Sequence, residues 1–311
     1  MPTQHVPVLA TAVIDLLQPK PGDIVIDATL GGGGHAALLL DGVQPTGVLY
    51  GFDQDPEAIA LVNASLGKLY GPHQFIPKVA NAATIQSACD AWQITGRVQS
   101  ILFDLGYSSD QLQRGRGFSF RALTDPLDLR MDPTLSDTAA DLLNTGTVPM
   151  LVELFRNYGE VKRPQVLART IADWRLHRPI QTVGDLVECV QQAYHTQSSD
   201  VLAKVWQACR IAVNDELRSL PTMLTAALTV LAPGGRMAVI TFHSLEDRIV
   251  KQLFKSWTDT KCVCPPEVPI CVCERKPIAQ LLTRHAVEPS ETEIKTNPRS
   301  RSAKIRAVIK L

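Results

Sequence analysis

Three acidic residues of this chain each close a short apolar run, and the first of them precedes four consecutive glycines. Asp27 lies in "VIDATLGGGGH", Asp53 in "GVLYGFDQD" and Asp104 in "SILFDLG". Glycines let the backbone approach a ligand closely and adopt positive φ angles. Asp53 follows Gly31 by 22 residues, where a carboxylate can accept hydrogen bonds from a ribose diol. The pattern indicates a nucleoside ligand held by a glycine loop and an acid.

Two ligands fit that pattern, NAD and S-adenosylmethionine, besides a glycine turn that binds nothing. Gly31-x-Gly33-x-x-Ala36 satisfies the loose dinucleotide fingerprint. However, Asp27 would repel a pyrophosphate, whereas it tolerates the cationic amino acid end of a sulfonium ligand. The chain also ends in a basic segment, "SAKIRAVIK", suited to a last strand, with no second mononucleotide half. These features favour S-adenosylmethionine, with an NAD-dependent oxidoreductase as the alternative.

The elements that must position these acids alternate between strands and helices. Apolar, β-branched runs bounded by glycine and proline read as strands. A leucine face at steps of three and four precedes "PGG", which stops a helix before the strand "RMAVITF". Alternation of this kind predicts an α/β fold with a mainly parallel, doubly wound sheet.

The interval between Asp104 and Arg236 is too long for one crossover connection. It contains helix-like stretches such as "MLVELFRNYG" and "VGDLVECVQQAYH". We therefore expect a discontinuous sheet domain, residues 1–115 and 213–311, with an inserted helical subdomain at residues 116–212.

Composition is that of an ordinary globular protein. The 311 residues carry formal net charge zero and are 45% hydrophobic. The sequence has no apolar run of about 18 residues and no signal-peptide pattern at its start, which predicts a cytoplasmic protein without a membrane span. Residues 275–311 carry nine Lys and Arg against three acids, as expected for a segment that meets a polyanion, or simply for a solvated strand.

The chain as a whole resembles the bacterial methyltransferases that methylate N4 of a cytidine in the decoding centre of 16S ribosomal RNA. The stretches that carry the resemblance run in order along nearly the whole chain: "HVPVL", "DATLGGGGH", "FDQDPEAI", "LFDLGYSSDQL", "RGFSF", "PLDLRMDP", "YGEVKRPQVLARTI", "AVNDELRSL", "LAPGGRMAVITFHSLEDRIVK" and "NPRSRSAKIRA". The resemblance implies a class I methyltransferase fold, with the helical insertion helping to recognise the cytidine. It also implies small-subunit ribosomal RNA as partner. We expect this RNA within the assembled small subunit, with naked RNA as the open alternative, and the oligomeric state is left open.

The resemblance also assigns residues that bind S-adenosylmethionine. They are Gly33, Gly34, His35, Asp53, Ala80, Asp104 and Gln111. Ala80 stands where the family commonly has an aromatic residue, so we expect it to contribute only its backbone.

Methyl transfer to a cytosine amino group requires orientation more than a strong base, because the amino lone pair is delocalised into the ring. Asp104 at its strand end, with Ser108 and Ser109 nearby, could accept hydrogen bonds from the amino group. His243 is a further candidate as acid or base, or else a structural histidine.

RNA contact should use cations against phosphates. The candidates are Lys162, Arg163, Arg299, Arg301 and Lys304, with Arg114 and Arg116 beside the site. Tyr107, Phe118 and Phe120 could stack on the unstacked cytosine or be core residues.

Four cysteines lie in "CVCPPEVPICVC". Cys262, Cys264, Cys271 and Cys273 could form a structural zinc site, although C-x-C is not the usual zinc signature. A reduced hairpin is the alternative, and we predict no catalytic metal. A non-catalytic assembly factor that binds the donor remains a third function class.

Overall fold

The computed structural model describes residues 7–106, 112, 115–196, 198–260 and 276–311. The chain divides into two compact units, residues 1–106 with 219–311 and residues 107–218. The expected limits of the insertion, 116 and 212, lie inside the second unit.

The first unit contains a seven-stranded sheet of order β3-β2-β1-β4-β5-β7-β6. The strands through β5 are mutually parallel, and β7 is antiparallel to both β5 and β6. The strands are β1 (Ile24–Asp27), β2 (Val48–Asp53), β3 (Phe75–Val79), β4 (Val98–Asp104), β5 (Leu231–Thr241), β6 (Ala279–Leu281) and β7 (Lys304–Lys310). The predicted α/β fold with a mainly parallel sheet is confirmed.

Helices cover both faces of the sheet. They are α1 (Ala10–Leu17), α2 (Gly34–Val43), α3 (Pro56–Val62), α4 (Lys68–Tyr70), α5 (Ile85–Ala91), α12 (Ser244–Thr258) and α13 (Glu291–Thr296), with α11 (Glu216–Val230) spanning the boundary of the units. Successive strand residues point to opposite faces, so Val25 joins the core under α1 and α2 while Ile26 joins the core under α5 and α12.

The second unit is helical and has a hydrophobic core of its own. Its helices are α6 (Ala139–Thr145), α7 (Val148–Asn157), α8 (Pro164–Trp174), α9 (Val183–Tyr194) and α10 (Ser199–Asn214). Thr182 begins α9 with a capping box, in which its hydroxyl accepts from the Asp185 N–H and Asp185 accepts from the Thr182 N–H.

One predicted boundary is wrong. The helix α11 ends at Val230 rather than at "PGG", and Pro233 and Gly234 lie inside β5. The reason is a register shift between β4 and β5 at Val98 and Ser100, which lets the backbone pair with β4 on both sides of an irregular turn. No helix among the described residues has both the length and the apolarity needed to cross a membrane.

Candidate active site

Asp27, Asp53 and Asp104 are the last residues of β1, β2 and β4. These strands are neighbours in the sheet and run parallel. Their carboxyl ends therefore meet at one edge, which brings the three predicted acids together. Ligands of doubly wound sheets bind at this edge.

The glycine loop between β1 and α2 is tied to the acid of β2. The Gly31 N–H donates to Asp53 Oδ2 at 2.8 Å, and the Asp55 N–H donates to Asp53 Oδ1 at 2.9 Å. These two bonds fix the orientation of the Asp53 carboxylate next to the loop.

Gly33 is the residue on which the loop geometry depends. It precedes α2 with φ 79°, and a Cβ there would lie 2.9 Å from Val62 Cγ1. Only glycine avoids both the unfavourable φ and the close approach to α3. The predicted donor residues Gly34 and His35 are the first two residues of α2.

His35 connects Asp104 to the N-terminal segment. Its Nδ1 lies 3.4 Å from Asp104 Oδ2, and its Nε2 lies 2.8 Å from the Val8 carbonyl oxygen. Both ring nitrogens thus face acceptors, which suits a doubly protonated ring. Burial acts to lower the pKa of His35, but the hydrogen bond and the charge of Asp104 outweigh it, and the pKa is raised.

The second oxygen of Asp104 differs from the first. Oδ1 is buried without a hydrogen bond among the described residues, although the side chain as a whole is 22% exposed. The Asp104 backbone N–H donates to the Thr29 hydroxyl at 2.6 Å, which fixes the end of β4 against the loop. A buried carboxylate oxygen without a partner is available for a ligand N–H or cation.

Asp27 is almost completely buried below this pair. Its Oδ1 accepts from the Thr29 N–H at 3.1 Å, and its Oδ2 lacks a partner in the described part of the chain. Burial raises the pKa of Asp27 to about 7, and the nearby positive charge of His35 only partly offsets this.

These features fit a cationic nucleoside ligand. The cradle at Gly33 has no room for a Cβ, the Asp53 carboxylate is held beside the loop by the Gly31 N–H, and two carboxylate oxygens have no hydrogen-bond partner among the described residues. A pyrophosphate would meet three carboxyl groups at this edge, which disfavours a dinucleotide.

Ala80 follows β3 and its backbone N–H donates to the Asp53 carbonyl oxygen at 2.9 Å. Its methyl group packs against the sheet core. The predicted residues Ser108, Ser109 and Gln111, together with Tyr107, Arg114 and the four clustered cysteines, lie outside the described residues.

His243 immediately precedes α12 and caps it. Its Nδ1 accepts from the Glu246 N–H at 3.4 Å, its Nε2 lies 3.0 Å from Glu246 Oε1, and its side chain is 10% exposed. Glu246 Oε2 accepts in turn from the Phe242 N–H at 2.8 Å. These contacts give His243 a structural task, while its use as acid or base stays a prediction.

The predicted RNA-binding cations are on the surface of their respective units. Lys162 and Arg163 are exposed before α8 in the helical unit, and Arg299 and Arg301 are exposed before β7 in the sheet unit. Lys304 is partly exposed and lies 3.1 Å from Glu288. Their RNA contacts stay predictions.

Three of the other candidates are part of the helical unit's structure. The Arg116 guanidinium donates to the carbonyl oxygens of Arg130 and Met131. Phe118 is 5% exposed in the helical core, and Phe120 packs edge-on against Trp206. The packing of both phenylalanines therefore agrees with the alternative that they are core residues.

Sequence reasoning missed Thr29 and Val8, whose hydroxyl and carbonyl oxygen hold the ends of the Asp104–His35 pair. The Thr29 position within "DATLGGGGH" could have been noticed as a polar residue between an acid and a glycine loop. The Val8 contact involves a backbone atom, for which no side-chain pattern exists.

The whole chain is similar to proteins of known name. A protein from Syntrophotalea carbinolica named ribosomal RNA small subunit methyltransferase H is 44% identical over 99% of this chain and 98% of its own length. The protein of the same name from Thermomicrobium roseum is 44% identical over 98% of this chain and 93% of its own. Among solved structures, an rRNA methylase from Streptococcus thermophilus aligns with TM-score 0.39 and 12% identity over 97% of this chain and 93% of its own.

The description of the matching family model is "MraW methylase family", and the match extends over residues 2–311. The predicted enzyme class, a methyltransferase of class I fold, is thereby confirmed. With nearly its entire length matched, this chain belongs to the MraW methylase family.

Proposed function

We propose that this protein transfers the methyl group of S-adenosylmethionine to N4 of a cytidine in the decoding centre of 16S ribosomal RNA. The observation that carries the proposal is the Asp104 carboxylate at the end of β4. One of its oxygens is held by His35, and the other is buried with no hydrogen-bond partner in the described part of the chain.

The donor is held by the edge of the sheet where β1, β2 and β4 end. Asp53 accepts hydrogen bonds from its ribose, and the backbone of Gly33, Gly34 and His35 lies along it, with Ala80 at the neighbouring strand end. Asp104 supplies negative charge toward its cationic end, and Asp27, whose pKa burial raises to about 7, adds charge only when it ionises. When bound, the donor supplies an electrophilic methyl group on a positively charged sulfur.

Asp104 also serves the acceptor. Its free oxygen accepts an N–H of the cytosine amino group, which turns the nitrogen lone pair toward the methyl group. Because His35 holds the other oxygen, the carboxylate cannot rotate away. Ser108, Ser109, Gln111 and His243 are proposed as further site residues on the sequence resemblance alone.

Ribosomal RNA is the substrate class, and we place it in the assembled small subunit in the cytoplasm. The relatives that match along their full length carry the small subunit in their names. Exposed cations on both units, Lys162 and Arg163 on one and Arg299, Arg301 and Lys304 on the other, are proposed to contact phosphates.

The experiment is incubation with labelled S-adenosylmethionine and unmodified small subunits, followed by digestion to nucleosides. We expect label only in N4-methylcytidine. Label in another base would contradict the substrate assignment. Absence of label, with donor binding intact, would favour a non-catalytic assembly factor. Binding of nicotinamide dinucleotides without binding of S-adenosylmethionine would favour an oxidoreductase, a function that the family match does not support.

The variant that tests the site is Asp104→Asn. It keeps one acceptor oxygen but loses the charge, so we expect methylation at saturating donor to fall by about 10²-fold. RNA binding should be unchanged. The control is Asp90→Asn, an exposed acid on α5, which should keep wild-type activity. Full activity of Asp104→Asn would contradict the proposed role.

A further inference from the structure

A second concave site lies at the end of β5, beside the acids of the first. It has a volume of about 570 Å³ and is lined by Phe242, His243, Ser244, Asp247, Arg248, Lys251, Ser302 and Lys304. All of these residues belong to the sheet unit. The volume is within the range of pockets that bind small ligands.

The charge of this pocket is positive. Arg248, Lys251 and Lys304 line it, and Lys304 lies 3.1 Å from Glu288. The single acid among its described lining residues, Asp247, is paired with the Arg306 guanidinium through two hydrogen bonds of 2.7 and 3.0 Å. The acid is thus neutralised within the fold, whereas Lys251 is an exposed cation on α12.

The start of a helix adds to this field. Ser244 is the first residue of α12, a helix of 15 residues, and it lines the pocket. The N-terminus of a helix carries about half a positive charge. The Glu246 carboxylate offsets part of it by accepting from the Phe242 and His243 N–H groups, and the remainder adds to the charge of Arg248 and Lys251. Hydroxyl groups of Ser244 and Ser302 provide additional hydrogen-bonding groups.

The pocket is close to the proposed methyl-transfer site along the sheet. Asp104 pairs in register with Ile240, and Phe242 follows two residues later. A Cβ at Gly106, just beyond β4, would lie 3.3 Å from the ring of Phe242. The wall of the pocket therefore borders the segment that follows Asp104.

We propose that this pocket binds a backbone phosphate of the substrate RNA, at a nucleotide next to the cytidine that is methylated. The proposal rests on the proposed function, because it takes the RNA strand as substrate. The pocket cations neutralise one phosphate while the target base lies at the end of β4. Because this contact fixes the position of the RNA strand, the pocket determines which nucleotide reaches Asp104. Arg248 and Lys251 are new to the site.

The test is the charge reversal Lys251→Glu, with Lys255→Glu as matched control. Both lysines are exposed on α12 and one helical turn apart, but only Lys251 lines the pocket. Methylation is measured with small subunits, and binding is measured with a naked RNA hairpin that contains the target cytidine. The dissociation constant of S-adenosylmethionine is measured in parallel.

We expect Lys251→Glu to raise the KM for small subunits roughly tenfold and to weaken hairpin binding by a similar factor. The slope of log K against log salt should fall by about one. The kcat and donor affinity should stay at the wild-type value. Lys255→Glu should change none of these by more than about twofold.

Three results would overturn the proposal. Equal effects of the two variants would show that only overall charge matters. Loss of donor affinity in Lys251→Glu would assign the pocket to the donor. Weaker methylation of subunits with unchanged hairpin binding would assign it to a protein partner. Failure of the proposed function gives a different result. In that case the wild type methylates no cytidine, but hairpin binding of the two variants can still be compared.

Discussion

The three strand-end acids differ in what surrounds their oxygens. Asp53 accepts two backbone N–H groups, and one oxygen of Asp104 lies beside His35. Asp27 is buried, and one of its oxygens has no hydrogen-bond partner within the described ranges. Only Asp27 combines complete burial with a raised pKa of about 7. Its ionisation therefore opposes folding, and the cost depends on pH.

The first prediction concerns Asp27→Asn. Because its pKa is raised, Asp27 keeps its proton in the native state, whereas the unfolded chain releases this proton from about pH 4 upward. The contribution of Asp27 to the free energy of unfolding therefore falls between pH 4 and pH 7 and is constant above pH 7. Asparagine removes the charge and still accepts from the Thr29 N–H. We expect it to stabilise the sheet unit at pH 8 by about 2–4 kcal/mol, and by little at pH 4.

Urea unfolding at several pH values, followed by a probe in the sheet unit, measures this difference. Asp15→Asn, at an exposed position of α1, is the control and should show no comparable gain. A gain from Asp27→Asn that is the same at pH 4 and pH 8 would contradict the electrostatic explanation.

At the scale of an element, the turn from β1 into α2 depends on Gly33, which must satisfy two conditions at once. Its φ of 79° strains any L side chain, and a Cβ would approach α3 at Val62. The loop also carries the Gly31 N–H that binds Asp53. Displacing Gly33 should therefore disturb donor binding.

The second prediction is that Gly33→Ala weakens donor binding at least tenfold and destabilises the protein by about 1–3 kcal/mol. Calorimetry with S-adenosylmethionine and thermal unfolding are the measurements. Gly96→Ala is the matched control, because Gly96 has φ 75° and nothing within 4 Å of its Cβ position. It should lose stability without losing donor affinity.

The double variant Gly33→Ala with Val62→Ala separates the two effects. It removes the close contact while keeping the strained φ, so it should recover only part of the affinity. Equal donor affinity in the wild type and in Gly33→Ala would show that the loop is not part of the donor site.

Most elements near the site were predictable from the sequence. The runs ending at Asp27, Asp53 and Asp104 became β1, β2 and β4 because buried parallel strands need continuous apolar residues. The last strand expected in "SAKIRAVIK" is β7, and its antiparallel direction is a finding of the structure. The position of Asp53 beside the glycine loop was predictable from its spacing of 22 residues from Gly31.

The remainder depends on contacts between distant residues. Nothing in the sequence shows that His35 bridges Asp104 to the Val8 carbonyl oxygen, or that Asp27 is buried. In the sequence, the pocket residues Arg248 and Lys251 look like ordinary surface residues of a helix. They line a pocket only because β7, which carries Lys304, lies beside α12 in the fold. The bounds of α11 were wrong because strand pairing overrode the helix-stop signal at Gly234.

At the scale of the whole molecule, each unit has its own core. Leu49 is fully buried in the sheet unit and Leu167 is fully buried in the helical unit. Deleting either side chain should cost about 2–5 kcal/mol locally. The described residues that we propose to bind the donor, Gly33, Gly34, His35, Asp53, Ala80 and Asp104, all belong to the sheet unit.

We therefore expect Leu49→Ala to accelerate hydrogen exchange in the sheet unit and to weaken donor binding, because β2 carries Asp53. Leu167→Ala should accelerate exchange in α8 and its neighbours and leave donor affinity within about twofold of the wild type. Hydrogen exchange with mass spectrometry and donor titration measure both. Loss of donor binding in Leu167→Ala would contradict the independence of the two cores.

The pairing of β4 with β5 has a consequence for how the chain reaches its native state. These strands are adjacent in the centre of the sheet, yet residues 105–230 intervene between them. Closing so long a loop carries an entropic cost before any contact repays it, and high contact order slows folding. If the helical segment collapses first, the loop becomes shorter in effect, so the insertion would act as a folding aid for the sheet it interrupts. In a refolding time course, protection of α7–α9 should then precede protection of β4 and β5.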